Sequence, residues 1–100
     1  MSVSDADIAF ALELFEPLGH LSQRKMFGGL SIYHAGDIFC IVSSDGRIYL
    51  KCGRGLAADL KADGSEQFHN MPYWSLPEAD LDDPEAASAR ARMALASLSP

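Results

Sequence analysis

The chain has 100 residues, 48% of them apolar and 22% charged, with eight Lys and Arg against 14 Asp and Glu and a formal net charge of −6. That suits a single globular domain, residues 1–100, with one core and no room for a second. Nucleic-acid affinity comes largely from phosphate neutralisation by Lys and Arg, so direct nucleic-acid binding is disfavoured, and so is attachment to an anionic membrane surface.

The N-terminal stretch MSVSDADIAFALELF has no basic n-region and does not read as a signal peptide. No run approaches the ~20 apolar residues of a membrane span, which predicts a cytoplasmic protein. Ser4 with Asp7 offers a helix cap and an acidic first turn, and Ile8, Leu12 and Phe15 recur at helical spacing. Phe10 and Leu14 widen that stripe, and Pro17 and Gly19 end a first helix over about 5–17.

From Arg24 the period becomes that of a strand. RKMFGGLSIY reads as one strand interrupted at Gly28-Gly29, where glycines mark a bulge, a bend or a close backbone approach. HAGD is a turn, IFCIVS a second strand, SDG a hairpin signal and RIYLKC a third, alternating strand. With a two-residue Asp45-Gly46 loop, Cys40 and Cys52 fall on opposite faces of this meander. A three-residue Ser44–Gly46 loop makes them diagonal neighbours, ~7–8 Å apart and beyond disulfide reach. Neither register favours a bridge.

GRGLAADLKADG predicts a short second helix through Leu56 and Leu60, closed by Gly64. SEQFHN and YWSLP read as two short strands around Met71-Pro72. Asp83 as N-cap and Pro84 at the first position open a third helix, with Ala86, Arg90, Met93 and Leu98 as a thin, alanine-rich stripe. The order α-β-β-β-α-β-β-α predicts an α+β, two-layer domain: an antiparallel sheet with helices on one face and the other face solvated or covered by a second copy.

Catalytic patterns are sparse. His20, His34 and His69 with the two cysteines match no metal-ligand spacing, so no metal is expected. Cys52, between Lys51 and Arg54 before a helix, has features that lower a thiol pKa, but reads better as a small core residue. CGRGL could hold an anion at a helix start, though it lacks the lysine and hydroxyl of a P-loop. Arg24, Lys25 and Arg47 could converge in the meander, and Lys51 and Arg54 mark its other end.

RKMFGGLSIY, IYLK and GSEQFHNMPYWSLP together resemble the TfoX N-terminal domain, found in regulators of bacterial competence genes. The similarity runs from about Phe10 to Ala94. Its paired signature is Met26-Phe27-Gly28-Gly29 and, about 45 residues later, Met71-Pro72-Tyr73-Trp74. The resemblance implies a secretion-chaperone-like two-layer fold, no catalytic residues, no cofactor and a role in transcriptional regulation through protein partners; a homodimer is one form such a protein contact could take. Longer members carry a second, C-terminal helical domain, which a chain ending at Pro100 is expected to lack. The resemblance also suggests that Gly28-Gly29 makes room for the bulky Met-Pro-Tyr-Trp segment, with Trp74 mostly buried and the Tyr73 hydroxyl at a rim.

Two functions follow from these readings. The first is a non-enzymatic regulatory or adaptor domain that recognises protein, with Arg24, Tyr49, Lys51 and Tyr73 as candidate contacts. The second is a small-molecule or anion-binding domain, using a cleft near Met71–Trp74 with Arg24 and Lys51 as charged contacts.

Overall fold

The computed structural model describes residues 2–98. Helix α1 spans Asp5–Leu14 and is capped by the Ser4 hydroxyl, which accepts from the Asp7 N–H at 3.1 Å. It ends earlier than the spacing suggests: Pro17 has no N–H to donate back, and the chain tightens into a 3₁₀ turn over Glu16–Leu18. Ile8, Ala11 and Leu14 are its buried face, while Phe10 is 46% exposed, against the expectation that it widens the covered stripe.

Strands β1 (Leu21–Met26), β2 (Gly29–His34), β3 (Asp37–Val42) and β4 (Ile48–Lys51) form an antiparallel meander. Helix α2 (Arg54–Ala62) follows, then β5 (Tyr73–Ser75) beside β4 and a final helix, α3 (Pro84–Ser97). The sheet order is β1-β2-β3-β4-β5, in the expected α+β class.

Two details differ from the sequence reading. RKMFGGLSIY is a hairpin, not one strand. Phe27 (φ 51°) and Gly28 (φ 78°) form its two-residue turn, both in the left-handed region as a type I′ turn requires. SEQFHN joins the sheet only through a bridge from Gln67 to Trp74, with the Ser75 N–H donating to the Glu66 carbonyl and the Phe68 N–H to that of Tyr73.

The diglycine therefore does not accommodate Met71–Trp74. Gly28 makes the turn, and Gly29 lies so close to β3 that a side chain there would run into the Val42 carbonyl. Two strands, β3 and β4, separate β2 from β5. Trp74 is mostly buried, as expected, and packs against the core from the edge strand β5.

One sheet face carries the core. Leu30, Ile32, Cys40, Val42, Ile48 and Leu50 lie on it, packed beneath the helices. A bulge in β3 beside Ile32/Tyr33 adds Phe39 to this side, where its ring meets that of Phe15 edge-on at 5.2 Å. Helix α3 packs over β3 and β4 and between α1 and α2. Its buried stripe is Ala87, Ala91 and Ala94 with Ser88, not the Ala86–Arg90–Met93 line expected, and Met93 is 51% exposed. Small side chains let the helix axis approach the sheet closely. Ser88 donates to the Leu14 carbonyl at 3.3 Å, tying α3 to the end of α1.

Cys40 stands opposite Leu50, the register of the three-residue-loop alternative, and both cysteines are free and buried. Among the described residues, no helix is long and apolar enough to cross a membrane.

Candidate functional site

The other sheet face has no helix over it. Period-two geometry places Arg24, Ser31, Ile41, Tyr49 and Ser75 in one row across all five strands, with Tyr33, Ile38, Lys51 and Tyr73 on the same side. The face is aromatic and aliphatic at its centre and cationic at its margins.

Three of the four candidate contacts come together here. Tyr49 and Lys51 are alternate residues of β4, and Lys51 stands directly opposite Tyr73 on β5. Arg24 shares the face but lies on β1, three strand spacings from Tyr49, or about 14 Å.

Phe68, which the sequence reading passed over, is the main addition. It reaches in from the segment before β5 and packs at a tilt against the Tyr49 ring, centroids 4.9 Å apart, with His69 packed edge-on against it at 4.5 Å. On the same ring, the Arg47 guanidinium sits 5.7 Å from the centroid of Tyr49 while pairing with Glu66 at 3.3 Å. Tyr33, Ile38 and Ile41 complete the apolar strip. They were hidden in a run that is apolar on both parities, and Phe68 by its polar neighbours.

Local contacts explain how polar groups tolerate this surface. Ser31 is fully buried among larger neighbours, and its hydroxyl points to the Met26 sulfur at 3.0 Å. Tyr73 is buried as a residue, with 6% of its surface left exposed. That burial raises its phenol pKa, with Cys40 and Tyr33 acting the same way.

The chemistry-bearing groups elsewhere are in structural use. Burial pushes the Cys52 thiol up to about 11, the opposite of an activated nucleophile. The α2 N-terminus is closed by its neighbour: the Gly53 N–H donates to the Ser97 hydroxyl at 2.9 Å, and a side chain at Gly53 would strike the Ser97 backbone. The fold brings His20 and His34 within 6.0 Å, ring to ring, with His34 Nδ1 2.7 Å from the Gly19 carbonyl. Among the described residues, no three His, Cys, Asp or Glu are placed to hold a metal ion.

A hollow of about 950 Å³ is present, but it is not the cleft expected beside Met71–Trp74. It lies between the start of α1, the Ser43–Arg47 loop and the segments around Ser65 and Pro77. Its cations are Arg47 and Arg90 instead of Arg24 and Lys51, and both are already paired, Arg47 with Glu66 and Arg90 with Asp80 at 3.0 Å.

Known proteins share much of this chain. The chain is 29% identical over 66 residues to the DNA transformation protein TfoX1 of Aliivibrio fischeri, a match spanning 66% of this chain and 31% of that protein. It thus covers less than a third of that relative's length. The family model of the TfoX N-terminal domain matches residues 13–98, from the end of α1 through α3, including both signature tetrapeptides. The chain belongs to the TfoX N-terminal domain family.

Proposed function

We propose that this chain is a non-enzymatic, cytoplasmic regulatory domain of competence-type gene control, working by contact with a protein partner on the open sheet face around Tyr49, Phe68 and Tyr73. The observation that carries the reading is that face itself: an aromatic strip with no helix over it, in a chain of this family. Tyr, Phe and Arg are among the residues enriched at protein-recognition surfaces. Family membership and the TfoX1 likeness support the regulatory part.

The test is complementation of a naturally transformable bacterium lacking this gene, reading transcription of its DNA-uptake genes. Tyr33→Arg and Ile41→Asp place charge on the open face. Variants that melt as cooperatively as the parent yet fail to restore transcription are the expected result. Folded open-face variants that restore full transcription would overturn the reading.

A further inference from the structure

The β1–β2 hairpin ends on a side chain that folding does not require. Phe27 is 100% exposed and occupies the first position of a type I′ turn at φ 51°. Asn, Asp or Gly ordinarily hold that position, because positive φ crowds a bulky side chain. The next hairpin has the same backbone with an unobtrusive Ala35 (φ 49°) before Gly36. Neither burial nor turn geometry accounts for a benzyl group at the tip. Met26 beside it is 39% exposed, and Arg24 and Lys25 precede it on an exposed edge strand. The tip is also held in place, since the Val3 N–H donates to the Gly28 carbonyl at 2.6 Å.

A second exposed aromatic, Phe10, lines the 950 Å³ hollow, together with Leu76 and Leu81. Asp7, Asp63 and Glu78 line it too, and none of the three makes an ion pair among the described residues. The molecule thus presents a basic-flanked aromatic knob and an acidic-lined hollow with an apolar floor. The two lie at the same end of the sheet. The pairing of Leu30 with Val42 sets the Phe27 turn beside the Ser43–Arg47 loop, and the Asp7 carboxylate lies against Gly46 of that loop. A closed two-fold contact needs both halves on one continuous surface, and this end of the sheet supplies them.

We propose that two copies of this chain dimerise by reciprocal insertion, Phe27 of each entering the Phe10 hollow of the other, with Lys25 facing Asp7, Asp63 and Glu78. The contact uses the end of the sheet and none of Tyr49, Phe68 and Tyr73, so its failure would not touch the function proposed above.

Sedimentation equilibrium of the whole chain at low and high salt tests it. The expected result is a dimer that weakens with salt. Phe27→Ala should weaken it by at least about tenfold, the scale of a central aromatic anchor, with no loss of melting temperature at concentrations below self-association. Lys25→Glu and Glu78→Lys should each weaken self-association and, mixed together, recover a heterodimer. Phe10→Ser reports from the hollow side. A monomer at every soluble concentration, or a dimer indifferent to Phe27→Ala, would overturn the proposal.

Discussion

The two faces of the sheet come from the same strands and differ only in parity. Cys40 is sealed under the helices, while its neighbour Ile41 points to the side with no second layer. Leu50 has no exposed surface, and Tyr49, one residue earlier, is buried by lateral contacts with Phe68 and Arg47. The difference separates two kinds of burial. On the covered face a side chain fills a volume bounded on all sides, so removing it leaves a cavity. On the open face a side chain shields its neighbours, and water or a partner can take its place.

Stability should therefore divide along parity. Leu50→Ala empties a site closed by sheet and helices and should cost about 3–4 kcal/mol in urea unfolding. Ile41→Ala, on the same sheet, should cost only about 1 kcal/mol, because half of its surface benefit is absent and no closed void remains. Similar losses at the two positions would break the comparison. The helix side offers the converse test. Ala91 is fully buried in the α3 stripe, so Ala91→Leu should push the helix off the sheet and cost roughly 1–3 kcal/mol, while Ala89→Leu on the exposed side of the same helix should be close to neutral.

The thiols sharpen the comparison through pH. Cys40 and Cys52 sit on or beside the covered face, and burial raises both. A thiol whose folded pKa is raised holds its proton in the native state after the unfolded chain has released it. Its contribution is full below the ordinary value of 9.0 and is lost as pH rises through about 11 for Cys52. Unfolding midpoints should therefore fall above pH 9, with a shallower fall in Cys52→Ala. Both thiols should react with a disulfide reagent only as fast as the protein opens. Rapid native-state labelling of Cys52 would contradict its assigned burial.

Much of this architecture was legible in the residues. Asp45-Gly46, Asp83-Pro84 and Gly64 mark turns and caps by chemistry that acts locally, and the structure places a turn or helix end at each. The misreadings share a cause: they depend on what lies across the chain. Helix α3 has alanine on several sides, so no large residue marked which stripe faces the sheet. In β3 the bulge rotates Phe39 onto the core side, which hides the alternation that would have exposed Ile38 and Ile41 as open-face residues. Gly29 did signal a close backbone approach, but only the sheet order reveals Val42 as the approaching strand. Of the candidate site, Tyr49, Lys51 and Tyr73 were recoverable from period two. Phe68 was not, because its role depends on a segment that folds back over β4.

The Phe27 turn belongs to neither face and gives the smallest and most direct contrast. Phe27 and Ala35 share φ values within a few degrees, each followed by glycine at positive φ. Asparagine suits that conformation better than either residue, since its short polar side chain can hydrogen-bond locally in the left-handed region. Phe27→Asn removes no buried surface, so it should stabilise the monomer by about 0.5–1 kcal/mol, and Ala35→Asn should add a similar or slightly smaller amount. Thermal unfolding of the two single variants at a concentration below any self-association would measure both. A gain at Ala35 with a loss at Phe27 would mean that the exposed ring supports its own monomer, which removes the reason to look for an acceptor elsewhere. Gains at both would mean that the aromatic is kept at the tip at a cost to folding, as a contact made outside the monomer requires.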